Sequence, residues 1–177
     1  MSELGILNKK VEQLQASVGA VEKAIIPIQE LVRPEVITFT GVITSAGAIT
    51  QPTNYFTVNA AYWLYIRAIH TYLTEVNAGG TVANRDYHNI RFNIEDSGRG
   101  YSFFNTATTL YPFSPINIKN PSDSFVGILA KPNANIRANL STVANPSIDV
   151  NVGIILIGDL VAPEYLKYYF AKNLWRK

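Results

Sequence analysis

The hydrophobic period of this chain changes once, shortly after residue 30, and that change limits what the chain can fold into. Before it, apolar residues recur in alternating steps of three and four, the a/d spacing of a coiled coil, for about four heptads. After it, apolar and polar residues alternate with a period of two, which is typical of half-buried strands. The sequence therefore predicts a helix followed by a β-domain.

The helical segment is predicted to span residues 1–33 and to join copies of the chain. Val21 and Ile28 at d positions favour three strands over two, so a homotrimer is preferred and a dimer stays open. A single amphipathic helix packed on its own domain is the remaining alternative, and Pro27 is expected to end or kink the helix. The predicted oligomerisation residues are Leu4, Leu7, Val11, Leu14, Val18, Val21, Ile25 and Ile28, with Val32 next in the series.

Residues 34–162 carry the β pattern. The predicted strands are Val36–Ile43, Tyr62–Leu73, an alternating block from Ile90 to Glu95, Ser124–Lys131, Asn135–Ser141 and Ile148–Leu160. Thr106–Pro121 contains three prolines, so it is expected to be a long loop or edge segment. Strands at this spacing with no helical pattern between them indicate a mainly β fold, an antiparallel β-sandwich, most simply a jelly roll.

Composition excludes several function classes. The chain has no cysteine, which removes disulfides, thiol nucleophiles and zinc–cysteine sites. Its formal charge of +2 is too small for electrostatic binding of nucleic acid, and no apolar run is long enough to span a membrane. The first residues lack a basic region followed by an apolar run, so no secretory signal is expected. No cofactor is expected either.

The residues that could carry chemistry form no recognisable catalytic motif. His70 and His88 lie on different predicted elements, and neither has the context of a metal or nucleophile motif. Adjacent Glu95 and Asp96 would point to opposite faces of a strand, so a turn with a surface ion pair to Arg99 is preferred over an acid/base site. The chain is therefore predicted not to be an enzyme.

Residues 163–177 form a basic, aromatic C-terminal tail with one acidic and four basic residues. Such a segment can dock onto a neighbouring protein or lie along the trimer; binding to a membrane surface is the weaker alternative. The predicted docking residues are Tyr165, Tyr168, Phe170, Trp175 and Arg176.

The chain has ten tyrosines, eight phenylalanines and two tryptophans. Aromatic side chains of this kind are favoured at interfaces, and exposed rings can also stack on sugars. The sandwich core and contacts between copies would account for most of them, and a glycan receptor is kept as an alternative partner.

Three features together carry a resemblance: the heptad series Leu4–Val32, the strand–turn block Ile90–Gly100, and the closing strand Asp149–Leu160. A heptad helix joined to a cysteine-free, Asn- and Thr-rich β-sandwich resembles virion structural proteins of bacterial and archaeal viruses, such as capsid decoration proteins, head fibres and small jelly-roll capsid subunits. The resemblance is one of architecture and transfers no functional residues.

The resemblance implies a non-enzymatic virion component, assembled in the host cytoplasm, whose partners are its own copies and other virion proteins. A carbohydrate- or receptor-binding module of a viral fibre is the alternative function.

Overall fold

The structure, a computed structural model, describes residues 10–15, 31–77, 79–117 and 125–174. Within those ranges the strands are β1 (Val32–Ile43), β2 (Ile49–Thr50), β3 (Phe56–Thr57), β4 (Trp63–Glu75), β5 (Ile90–Asp96), β6 (Tyr101–Ser102), β7 (Thr108–Thr109), β8 (Phe125–Ala130), β9 (Asn135–Thr142) and β10 (Val150–Val161). The helices between and after them are α1 (Asn84–Asn89), a 3-10 turn (Tyr111–Phe113) and α2 (Leu166–Leu174). The fold of the described residues is mainly β, as predicted.

The strands form two antiparallel sheets. Sheet A has the order β2-β1-β10-β4-β8, and sheet B has the order β3-β9-β5-β6 with β7 also paired to β5. Every pairing is antiparallel. The long strands β1, β10 and β4, of 12, 12 and 13 residues, lie side by side in sheet A.

The period-two pattern of the sequence places the core side chains of both sheets. In β5, Ile90, Phe92 and Ile94 are fully buried, while Arg91 between them is exposed, because successive side chains of a strand point to opposite faces. One hydrophobic cluster contains residues of both sheets, among them Phe39, Ile69, Ile154, Phe92, Ile94 and Ile136. Two sheets that share one core are consistent with the predicted β-sandwich.

The boundary between the N-terminal segment and the β-domain lies earlier than predicted. β1 begins at Val32, which pairs with Val161, and the N–H of Ala162 donates to the carbonyl of Leu31 at 2.8 Å. Val32 is therefore a strand residue rather than a heptad position. Pairing with Val161 extends the strand back to Val32, and Pro34 biases Arg33, the residue between them, toward extended backbone.

In the N-terminal segment the structure describes one helical turn over residues 10–15 and a last helical residue, Leu31, before β1. Val11 and Leu14, two of the predicted oligomerisation residues, lie on this helical turn and are exposed to solvent. The other six, Leu4, Leu7, Val18, Val21, Ile25 and Ile28, lie outside the described residues. The coiled coil thus stays a prediction, and the exposure of Val11 and Leu14 is the opposite of what packing on their own domain would produce.

Helix α1 has no counterpart in the predicted elements. It is held by Asp86, a fully buried residue whose carboxylate accepts hydrogen bonds from the Ala83 N–H at 3.1 Å and from the Ser147 hydroxyl at 2.8 Å. Ser147 lies 61 residues further along the chain. A six-residue helix stabilised by so distant a partner leaves no local hydrophobic period to detect.

The proline-containing segment was correctly predicted to be loop or edge. In its described part, residues 106–117, it forms the two-residue strand β7 on sheet B and then the 3-10 turn. Leu110 between them is fully buried, and its carbonyl accepts a hydrogen bond from the Thr71 hydroxyl at 2.8 Å. The segment is therefore tied to β4 of sheet A.

Candidate functional site

The outward side of sheet A is apolar at its centre. In β10, Val152, Ile154 and Leu156 are buried in the core, so Ile155 and Ile157 point to the opposite side of the sheet. An antiparallel sheet with one solvated face normally carries polar residues there. The sequence signal for this surface is the uninterrupted run from Ile154 to Ile157, which puts apolar side chains on both faces of one strand.

The flanking strands continue this surface. Val36 of β1 lies opposite Ile157, which in turn lies opposite Ala68 of β4. Val36 is 62% exposed. We call this surface the outer apolar face, and its residues are Val36, Ala68, His70, Tyr72, Ile155 and Ile157; the exposed Thr38, opposite Ile155, borders them on β1.

A shallow groove of about 410 Å³ runs along one side of the outer apolar face. It is lined by His70, Tyr72 and Ile155 together with Pro115 of the proline-containing segment. Tyr72 lies opposite Gly153 in the register, and its ring covers the position that a Cβ at Gly153 would occupy. The glycine therefore lets the tyrosine ring lie flat on the sheet beside the groove.

Helix α2 packs on the same side of sheet A, at the end of β10. The Tyr169 hydroxyl donates to the Asp159 carboxylate at 2.5 Å, and Arg67 lies 3.6 Å from the same carboxylate. The Tyr65 ring makes edge contacts with Tyr169 at 5.7 Å and with Phe170 at 5.1 Å between centroids. Tyr169 and Phe170 thereby dock α2 on its own domain.

These contacts raise the pKa values of both tyrosine hydroxyls. Burial, the hydrogen bond to Asp159 and the negative charge of Asp159 raise the pKa of Tyr169 well above its ordinary value. Burial and the charge of Asp159 also raise the pKa of Tyr65. The Tyr169 hydroxyl therefore keeps the proton that it donates to Asp159 to a higher pH than an ordinary tyrosine would.

The structure separates the predicted docking residues of the tail. Tyr165 and Tyr168 stack on each other with 6.2 Å between ring centroids, and Tyr168 is 66% exposed. Phe170 is half-buried against Tyr65 of its own domain. Trp175 and Arg176 lie outside the described residues.

The residue that fixes this helix, Tyr169, is missing from the predicted set. Tyr165 and Tyr169 are four residues apart, so a helical period would have placed them on one face of a helix. The predicted set rests instead on the alternation of aromatic and basic residues along the tail.

A second feature is a cleft of about 340 Å³ between the edge of sheet B and the edge of sheet A. Its lining residues are Asp96, Arg99, Tyr101, Phe103, Leu129, Ala130 and Lys131. Arg99 donates from Nη1 to Asp96 Oδ2 at 2.9 Å and from Nη2 to the Pro132 carbonyl at 3.0 Å. The turn after β5 is thereby tied to the turn after β8.

The predicted ion pair between Asp96 and Arg99 is present, and it lies at the surface on the arginine side, where the Arg99 side chain is 45% exposed. The Asp96 side chain is 4% exposed, and its Oδ1 atom accepts from the backbone N–H groups of Gly98 at 3.2 Å and Asn135 at 3.0 Å. This carboxylate therefore organises the turns. Glu95, its neighbour, is half-buried and lies opposite Arg137 on β9.

The two histidines lie at separate places in the fold. His70 belongs to the outer apolar face, and exposed His88 on α1 stacks on Tyr111 with 4.0 Å between ring centroids. Within the described ranges, no group of three or more His, Asp or Glu side chains is placed to hold a metal ion. None of the helices described there is long and apolar enough to cross a membrane.

Comparisons with known proteins give no sequence match and a weak structural similarity. No protein-family model matches the chain, and no curated protein matches it in sequence. Among solved structures it is similar to the capsid asymmetric unit of cyanophage Pam1, at 15% identity and a TM-score of 0.32, over 73% of this chain and 86% of that chain. A score this low does not establish a shared fold.

Proposed function

We propose that the chain is a non-enzymatic structural protein of a virion, a capsid, decoration or fibre component that assembles with copies of itself and with other virion proteins. The outer apolar face carries this proposal. Contiguous apolar surface on a soluble domain is typical of a protein-binding site, because its exposure to water is unfavourable.

The order of the strands supports a jelly roll as the finer description of the fold. Along the chain, β1, β4, β8 and β10 belong to sheet A, and β3, β5, β6 and β9 belong to sheet B. The chain therefore changes sheets at six of the seven connections between these eight strands; β2 and β7, of two residues each, are additions to sheets A and B. Eight-stranded, double-sheet jelly rolls form capsid and lectin domains, as well as cupins.

A second copy of this chain is the proposed occupant of the outer apolar face. The heptad segment leads directly into β1, and β1 contributes Val36 to that face. Helices that joined in a coiled coil would hold their β-domains next to one another at this point, at a high effective concentration. None of the six residues of the face is Asp, Glu, Lys or Arg, and the neighbouring Arg67 and Asp159 pair with each other at 3.6 Å, so a like surface can meet the face without burying an unpaired charge.

The number of copies is proposed to be three, from the β-branched residues at d positions Val21 and Ile28. The tail is proposed to contribute contacts to other virion proteins through Tyr165, Tyr168, Trp175 and Arg176. Tyr168 supports this role, because α2 leaves its ring exposed while Tyr169 holds the helix in place.

Light scattering at several protein concentrations tests the proposal. The wild-type chain should have three times the mass of one chain, and Val18→Asp, which places a charge in the predicted seam, should have the mass of a monomer. Val36→Lys should shift dissociation to higher protein concentration. Val143→Lys is its matched control, since Val143 is 57% exposed and lies in the loop between β9 and β10.

A wild-type chain that stays monomeric at high concentration would contradict self-assembly. If Val36→Lys and Val143→Lys dissociate at the same protein concentration, the outer apolar face is not the interface between copies. That result would not contradict the coiled coil.

A further inference from the structure

The cleft between the two sheet edges has the volume and the lining of a ligand site. The proposed self-assembly does not use it. Its volume of about 340 Å³ lies in the lower part of the range of about 300–1,000 Å³ that is usual for small-molecule sites. It joins an apolar wall, Leu129 and Ala130 at the end of β8, to charged side chains on the adjoining turns. Such a mixture of apolar lining and a few fixed polar groups is typical of binding sites.

The charge of the cleft favours an anion. Among its described lining residues, Arg99 and Lys131 are cationic and Asp96 is anionic. Asp96 is already satisfied by Arg99 and two backbone N–H groups. Arg99 has five N–H donors, of which Asp96 and Pro132 use two, so donors remain for a ligand.

The aromatic part of the cleft favours a ring-shaped ligand. Tyr101 is 58% exposed and makes an edge contact with Phe103 at 5.3 Å between centroids, with an angle of 89° between the ring planes. This contact fixes the orientation of the tyrosine ring and leaves its surface accessible. The electron-rich face of an aromatic ring attracts the polarised C–H groups of a sugar.

We propose that this cleft binds an acidic saccharide, with the sugar carboxylate between Arg99 and Lys131 and the pyranose ring against Tyr101. The proposal is independent of self-assembly, since no residue of the cleft belongs to the outer apolar face or to the heptad series. It is a binding site without hydrolysis: Asp96 is the sole carboxylate among the described lining residues, whereas glycosidases use a pair.

Calorimetric titration with a trisaccharide that contains glucuronic acid tests the proposal. We expect the wild-type chain to bind it, and to bind the uncharged trisaccharide with glucose in that position roughly tenfold more weakly, because the contact with the two cations is lost. Binding should weaken as salt concentration rises. A tri-glutamate peptide, which offers carboxylates without a pyranose ring, should bind more weakly than the acidic sugar.

Substitutions at exposed positions avoid loss of folding. Tyr101→Ala and Lys131→Gln should each weaken binding of the acidic trisaccharide roughly tenfold. The matched controls are Tyr55→Ala, at a tyrosine that is also 58% exposed but lies outside the cleft, and Lys167→Gln on α2. Both controls should bind like the wild-type chain.

Three results would overturn the proposal. The first is the absence of binding to the acidic trisaccharide. The second is equal loss of binding in Tyr101→Ala and Tyr55→Ala, which would place the sugar elsewhere. The third is tri-glutamate binding as tight as the sugar, which would make the cleft a docking site for an acidic peptide. Each can occur whether or not the chain self-assembles.

Discussion

Replacement of Tyr169 by phenylalanine isolates the hydrogen bond that holds α2 on sheet A. The variant removes one hydroxyl, which donates to Asp159 at 2.5 Å, and keeps the aromatic ring. The edge contacts with Tyr65 at 5.7 Å and with Phe170 at 5.8 Å are therefore retained. Apolar burial stays constant, so the difference between the two proteins reports the hydrogen bond.

Tyr169→Phe should lower the free energy that holds α2 on sheet A by about 1.5 kcal/mol. A hydrogen bond to a charged group contributes about 1.5–3 kcal/mol. The lower end applies, because the Asp159 side chain is 14% exposed and keeps Arg67 at 3.6 Å as a second partner after the substitution. A loss of this size corresponds to a roughly tenfold larger population of the state in which α2 is detached.

Amide hydrogen exchange of α2 measures that population. The Tyr169 N–H donates to the Tyr165 carbonyl at 2.9 Å, so its exchange reports whether the helix is formed. In Tyr169→Phe it should exchange about tenfold faster than in the wild-type chain. Tyr168→Phe is the matched control: Tyr168 is 66% exposed, and loss of its hydroxyl should change the exchange rate less than about threefold.

The effect should also depend on pH with a defined sign. The pKa of Tyr169 is raised in the folded chain, so the stabilisation is fully present below the ordinary tyrosine pKa of about 10 and is lost as the pH rises toward the raised value. The exchange rates of wild type and Tyr169→Phe, corrected for intrinsic pH dependence, should therefore begin to converge above about pH 10 and approach each other as the pH rises further toward the raised pKa. Equal protection of Tyr169→Phe and Tyr168→Phe at pH 7 would refute the reasoning.

Three further changes have defined outcomes. Gly158→Ala should lower the free energy of unfolding by about 1–3 kcal/mol in urea denaturation, because the added Cβ would lie 2.5 Å from the Tyr65 carbonyl oxygen at a register shift. Phe92→Ala, in the same assay, should cost about 3–5 kcal/mol, since the ring is fully buried in the shared core. The pKa of Asp149 is lowered by the Ser45 N–H at 2.7 Å and then by the Ser45 hydroxyl at 2.9 Å, so this stabilisation is present above about pH 4 and lost as the pH falls. In an NMR titration Ser45→Ala should raise this pKa part of the way to its ordinary value, and an unchanged value would contradict the assignment.

The long strands were predictable because their signal is local. β5 and β10 alternate in the sequence as they do in the fold, and their predicted limits lie within two residues of the observed ones. Successive side chains of a strand point to opposite faces, so an alternation of apolar and polar residues in the sequence directly predicts which side chains are buried. The predicted loop in the proline-containing segment follows from the missing N–H of proline in the same way.

Short elements escaped prediction because distant residues stabilise them. Strands β2, β3, β6 and β7 have two residues each, too few for a period to be recognised. Helix α1 depends on a buried carboxylate whose partner is 61 residues away. Tyr169 likewise contacts Asp159 and Tyr65 only because α2 packs on the sheet.

The sequence by itself determined the change from helical to strand period, the strand-rich fold class and the side chains that fill the core, because each follows from the spacing of neighbouring residues. The tertiary structure decided which surfaces are available for binding. Two residues of the apolar run from Ile154 to Ile157 became the centre of an outward surface once Val36 and Ala68 were paired beside them. Asp96, Arg99 and Lys131 became a cleft once two sheet edges met. Surfaces of this kind combine residues far apart in the chain, so their geometry is fixed by packing and not by local pattern.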